Sequence, residues 1–207
     1  MDKFEEMSAL LQRGKAKDLA ALVSDELAAG TAPKEILTQG LIVGMGIVGE
    51  KFKNNEIFVP EVLIAARAMN AALAVLKPAL AESGVGPVGT AGICTVKGDL
   101  HDIGKNLVKM MIEDTGIRVI DLGVDCDADK VVQAVKEYHA DIVCLFSLLT
   151  TTMLYQLDII EALKAAGLRD RVKVMIGGAP VTQAFADEIG ADAYTSDAAS
   201  AAEKARS

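Results

Sequence analysis

The sequence predicts a two-part α/β chain: a bundle of four helices, then a five-stranded parallel sheet with helices on both faces. Three observations predict it. Apolar residues recur at helical spacing up to about residue 81, short apolar runs alternate with helical stripes after residue 88, and a short stretch rich in glycine and proline parts the two patterns.

In the first part, Phe4, Met7, Leu10 and Leu11 mark one helix and Leu19, Leu22, Val23 and Leu27 a second. Ile36, Leu37, Leu41, Ile47 and Val48 mark a third, and Val62, Leu63, Ala66, Met69, Leu73 and Leu76 a fourth. Gly14 and Gly30 punctuate the first two helices, and Pro33 and Pro60 suit the first turns of the others. The stretch Glu82-Ser83-Gly84-Val85-Gly86-Pro87 reads as a linker, which gives a helical module over 1–84 and an α/β domain over 88–207. Beyond it, strands are expected at Gly89–Val96, Arg118–Leu122, Ile142–Ser147, Val172–Ile176 and Ala193–Thr195. Strand and helix in alternation imply a parallel, Rossmann- or flavodoxin-like sheet, for which right-handed crossovers favour the order 2-1-3-4-5.

Composition narrows the partners. With 51% hydrophobic residues, 207 residues can fill a sizeable core, and a net charge of −8 argues against nucleic acid or an anionic membrane as the main partner. Cys94, Cys126 and Cys144 are odd in number and widely spaced, so they read as free thiols in a reducing compartment. The acidic start and the lack of an uninterrupted apolar run of about 18 residues predict a soluble, cytoplasmic protein.

In such a sheet, ligands bind beyond the carboxyl ends of the strands where the order reverses. Strand one runs into Gly98-Asp99-Leu100-His101-Asp102-Ile103-Gly104, strand three into Ser147-Leu148-Leu149-Thr150-Thr151, and strand four into Gly177-Gly178. In the expected order these three loops are neighbours. Of the two histidines, His139 precedes strand three and reads as structural, whereas His101 follows strand one, two residues after Asp99. A carboxylate on one imidazole nitrogen fixes the tautomer and leaves the other nitrogen for a metal. The plainer alternative is that Asp99 or Asp102 caps the next helix and His101 is a loop residue. Protein side chains alone would not complete a zinc site here, so a lone histidine ligand implies a macrocycle. Gly104, Gly177 and Gly178 are either close-approach points for a bulky ligand or ordinary turn glycines. Ser147 is either a ligand contact or a cap.

These three motifs, in this order and at these strand ends, resemble the Asp-x-His-x-x-Gly, Ser-x-Leu and Gly-Gly signature of cobalamin-binding domains. Gly49-Glu50-Lys51-Phe52 and Glu56-Ile57-Phe58-Val59-Pro60-Glu61-Val62 are similar to the cap module of methionine synthase and of the corrinoid proteins of methylamine, methanol and aryl methyl ether systems. The resemblance covers nearly the whole chain. It implies a corrinoid bound base-off, with His101 under the cobalt, Asp99 bonded to His101, and Gly104 letting the loop approach the ring. Leu100, Asp102 and Ile103 belong to the same loop; Ser147, Leu149, Gly177 and Gly178 would line the cleft for the nucleotide tail, with Thr151, Tyr194 and Ala198 nearby. Where methionine synthase has a further relay serine, this chain has Met153, with Thr151 and Thr152 as the neighbouring hydroxyls.

The same resemblance implies a methyl carrier that cycles between Co(I) and methyl-Co(III) and is not itself a catalyst. It implies a substrate:corrinoid methyltransferase, a second methyltransferase using tetrahydrofolate or a thiol, and a reductive activating protein. Phe58, Val59, Val62 and Leu63 either shield the upper face or pack as bundle core; serving as both requires the helical module to swing about a hinge at residues 82–87. Two other classes share the binding motif. A cobalamin-dependent sensor would want a basic DNA-reading segment and a tryptophan, and the chain has no tryptophan. The small subunit of an adenosylcobalamin mutase would not bring its own helical cap.

Overall fold

The computed structural model describes residues 2–84 and 86–207; Met1 and Val85, the latter in the expected linker, lie outside the described residues. The chain divides into two compact units, residues 1–87 and 88–207.

The first unit is helical: α1 (Lys3–Gln12), α2 (Ala16–Ala28), α3 (Pro33–Glu35), α4 (Val43–Lys53) and α5 (Val59–Glu82). Gly14 and Gly30 adopt positive φ directly after α1 and α2, which stops each helix. The expected third helix is a continuous run from α3 to α4, but Ile36–Ile42 between them widens into a π-type helix. A Cβ on Gly40 would lie 2.8 Å from the Met7 sulfur and one on Gly44 3.0 Å from Ser8 Cα, so the close approach of this segment to α1 leaves no room for a side chain at either position.

By length and composition, Val59–Leu80 of α5 could cross a membrane, with a mean hydropathy of 1.6. This qualifies the expectation drawn from uninterrupted runs, because Glu61, Arg67 and Lys77 interrupt the sequence without lowering the average enough. In the structure the stripe Val62, Ala65, Met69, Ala72 and Leu76 is buried, and the helix packs against α2 and α4 as a bundle core.

The second unit is an α/β layer structure. Strands β1 (Thr90–Val96), β2 (Arg118–Cys126), β3 (Ile142–Phe146), β4 (Lys173–Gly177) and β5 (Ala193–Tyr194) pair in the order β2-β1-β3-β4-β5, all in parallel. Helices α6 (Ile103–Glu113), α7 (Ala128–Tyr138), α8 (Leu154–Ala165), α9 (Gln183–Ile189) and α10 (Ala198–Arg206) follow the strands in turn. The inner strands β1, β3 and β4 are apolar on both faces, as strands covered on both sides must be: Ile93, Cys94, Val143, Leu145, Val174 and Ile176 are all buried. Helix α6 packs with α10, while α7, α8 and α9 pack in succession. The three cysteines are free and buried. His139 ends α7 in the left-handed conformation, exposed, at the sheet end opposite His101.

Candidate functional site

The first site element is the loop between β1 and α6. Gly98 turns it at φ +78, a conformation that penalises any side chain, and the turn carries Asp99 into the protein and His101 back out. The Thr95 hydroxyl donates to the His101 carbonyl at 2.7 Å, anchoring the loop to the end of β1. Neither aspartate caps α6 with its side chain. Asp102 stands at the N-cap but makes no cap bond, and Asp99 is fully buried elsewhere.

Asp99 is saturated with donors. Its Oδ1 accepts the His101 ring Nδ1 at 2.7 Å and the His101 backbone N–H at 3.1 Å; Oδ2 accepts the Leu148 N–H at 2.7 Å and the Thr152 hydroxyl at 3.1 Å. Burial raises the cost of its charge, but the Leu148 and His101 N–H groups, the His101 ring and the Thr152 hydroxyl outweigh it and hold its pKa at about 2. An ionised carboxylate can only accept, so the proton of a neutral His101 ring sits on Nδ1 and Nε2 keeps its lone pair. The ring is 53% exposed, so a metal can reach Nε2.

The second element follows β3. Ser147 is fully buried, its N–H donates to Gly177 O, and its hydroxyl lies 2.8 Å from that of Thr152. Thr152, buried, therefore joins Ser147 to Asp99 and is the third member of the chain of hydrogen bonds. Of the two hydroxyls named from the sequence beside Met153, Thr151 is exposed and outside it. The third element follows β4. A Cβ on Gly178 would lie 1.8 Å from the Ser147 carbonyl oxygen, so this glycine is required by the neighbouring loop of the protein itself. Gly177 is tight against Phe146 and Thr195 O. Tyr194 ends β5, the edge strand beyond β4, and Ala198 opens α10, which packs against α6.

Around His101 the surface is unexpectedly apolar. Leu100 and Ile103 are 73% and 83% exposed, and Leu148 and Leu149, in the loop that holds Asp99, are exposed too. Gly104 has ordinary φ and nothing within 4 Å of a would-be Cβ, so the fold alone does not need a glycine there. Among the described residues no group of three potential metal-ligating side chains exists. One accessible imidazole nitrogen, an apolar surround and room over Gly104 fit a flat, largely apolar macrocycle that brings its own equatorial ligands. In the first unit, Val62 is bundle core, whereas Phe58, Val59 and Leu63 are exposed.

Comparison with known proteins identifies the family. A B12 binding domain model matches residues 89–205, and a second model of the same description matches residues 3–77. This chain belongs to the B12-binding domain family. This B12-binding chain is 46% identical over 192 residues to the trimethylamine corrinoid protein of Methanosarcina barkeri, covering 91% of this chain and 88% of that one. It is similar to the crystal structure of a cobalamin-binding protein from Desulfitobacterium hafniense DCB-2, with a TM-score of 0.85 and 32% identity, covering 100% of this chain and 98% of the other. It is also similar to a chain of the methanol:cobalamin methyltransferase complex of Methanosarcina barkeri, with a TM-score of 0.84 and 29% identity, covering 98% and 78% respectively. The kinship with corrinoid proteins of methyltransferase systems, expected from three motifs in the α/β half and two stretches of the helical half, holds across both units.

Proposed function

We propose that this chain binds cobalamin or a related corrinoid base-off, with His101 Nε2 on the cobalt, and carries a methyl group between partner methyltransferases. The observation that supports it above others is the exposed His101 ring, locked by Asp99 through Nδ1 and surrounded by exposed leucine and isoleucine. When bound, the corrinoid supplies the chemistry of accepting and releasing a methyl group at cobalt.

The chain's own residues have three tasks. Asp99 fixes the imidazole's tautomer and direction. Thr152 and the Leu148 N–H hold Asp99 ionised. Leu100, Ile103, Leu148 and Leu149 exclude water from the ring's edge. Ser147, Leu149, Gly177 and Gly178 would line the cleft for the nucleotide tail, with Tyr194 and Ala198 at its outer limit.

The methyl donor we favour is a methylamine, on the 46% identity to a trimethylamine corrinoid protein against 29% to the methanol system. The donor-specific methyltransferase would load the chain; a second methyltransferase would pass the group to tetrahydrofolate or a thiol, and a reductive activating protein would restore oxidised cobalt. The chain is then a carrier component in the cytoplasm, catalytic only with its partners.

Cobalamin added to the wild type should give the visible spectrum of an imidazole-ligated, base-off corrinoid. His101→Ala should keep the corrinoid but lose that imidazole signature. Identical spectra for the two proteins, or no uptake by the wild type, would reject the reading.

A further inference from the structure

The end of β2 is irregular in a way that the strand itself does not need. Against β1, β2 carries one extra residue between Asp121 and Gly123 and another between Gly123 and Cys126. Such bulges re-aim side chains and recur beside functional sites. The second contains Asp125 at φ +51. Among the described residues, the other non-glycine positions with positive φ are Asn55 and His139, which follow α4 and α7 and serve as routine helix stops. Asp125 is not at a helix end.

Its unusual backbone delivers two hydrogen bonds to one place. Asp125 Oδ1 accepts the Gly98 N–H at 2.8 Å, and the Asp125 N–H donates to the Asp99 carbonyl at 3.1 Å. Together they bracket the Gly98–Asp99 peptide, the joint that sends Asp99 inward. That joint sets where the Asp99 carboxylate lies, and the carboxylate sets where the His101 ring points.

We propose that Asp125 is a positioning residue for His101: clasping Gly98 and Asp99 from the neighbouring strand, it fixes how Nε2 is presented to a corrin cobalt. The inference rests on the corrinoid reading given above. Asp125 touches neither His101 nor, on this account, the metal; it acts through the loop.

Three substitutions separate the parts of the clasp. Asp125→Asn keeps an oxygen acceptor and tolerates the left-handed backbone, Asp125→Gly loses the acceptor for the Gly98 N–H but keeps the backbone freedom and the N–H that donates to Asp99, and Asp125→Ala loses the acceptor and also opposes the φ that aims that N–H. One readout needs no corrinoid: the ring 15N shifts of His101, which report how fully the proton resides on Nδ1. The other is the visible spectrum and affinity on adding cobalamin.

The expected result is that Asp125→Asn stays within about twofold of wild type, whereas Asp125→Gly and Asp125→Ala both lose the Nδ1–H preference and bind cobalamin about tenfold or more weakly, the range for partners that orient metal-ligating histidines. Wild-type ring shifts and spectra in Asp125→Gly would overturn the proposal, whatever happens to melting temperature. If Asp125→Ala does not fold, Asp125→Gly still decides. If wild type takes up no cobalamin, the corrinoid reading falls while the ring shifts still judge the clasp.

Discussion

Gly178→Ala tests whether the β3 and β4 loops form one device. Gly178 sits at φ +126, where an alanine is strained, and its Cβ would lie 1.8 Å from Ser147 O and 2.7 Å from Ser147 C. To reach ordinary contact near 3.4 Å the Ser147 peptide would have to retreat by about 1.5 Å. The strained backbone costs about 1–3 kcal/mol and the overpacking about another 1–3 kcal/mol, so a loss of roughly 2–6 kcal/mol is expected. Gly190→Ala is the control: Gly190 also has positive φ, +73, but nothing lies within 4 Å of its would-be Cβ, so only about 1–2 kcal/mol should be lost. Tyr138, Tyr155 and Tyr194 all lie in the α/β unit and tryptophan is absent, so tyrosine fluorescence during urea unfolding follows that unit alone. Because Leu148 N–H holds Asp99, displacement of Ser147 should also weaken cobalamin binding in Gly178→Ala and not in Gly190→Ala. Should the two variants unfold within about 0.5 kcal/mol of each other, the steric argument is refuted.

Two further perturbations have signs fixed by the structure. Thr152→Val removes the hydroxyl that reaches Asp99 and Ser147 and should cost about 1–3 kcal/mol and lower cobalamin affinity, while Thr152→Ser should retain most of both and Thr151→Val should change neither; equal effects at 151 and 152 in the same titration would contradict the assignment. Asp114, at the end of α6, is buried with no hydrogen-bond partner for Oδ2, and burial first, then the Glu113 charge, push its pKa up to about 8. The folded state thus holds this proton more tightly than the unfolded chain does. Stability should be greatest below the unfolded pKa near 4 and fall as pH rises through about 8, by up to ~5 kcal/mol at about 1.4 kcal/mol per unit. Asp114→Asn should flatten that fall in urea titrations at pH 5, 7 and 9; parallel curves for the two proteins would show that Asp114 is not the source.

The sheet was legible because a strand buried on both faces must be continuously apolar, and Ile142–Phe146 and Lys173–Gly177 can be little else between their turn residues. The helical half was legible down to its stops. What pattern could not reveal were places where a neighbour decides. The π-type stretch and the close approach of Gly40 and Gly44 to α1 leave no trace in the spacing of apolar residues. The choice of Thr152 over Thr151 depends on which way one turn faces after β3. Helical spacing points the wrong way: Thr151, four residues after Ser147, would share its side of a regular helix, whereas Thr152 would be rotated about 140° from it, so only the irregular turn after β3 brings Thr152 to Ser147. Asp125 was invisible for another reason, since a bulge breaks the two-residue alternation on which any strand reading depends.

Strand order gives the site its logic. His101 has one orienting partner, Asp99, but Asp99 is held from two sides: by Leu148 and Thr152 after β3, and through its peptide by Asp125 on β2. In the order β2-β1-β3-β4 these are the strands flanking β1, and Gly178 after β4 fixes the β3 loop from beyond. A histidine after an edge strand could be flanked on one side only. Placing it after β1 lets three neighbouring loops converge on one carboxylate, so a displacement in any of them reaches the imidazole through Asp99. The effects of Asp125→Gly and Thr152→Val on His101 should therefore be non-additive, because both act on the same carboxylate, whereas either should add to Gly190→Ala.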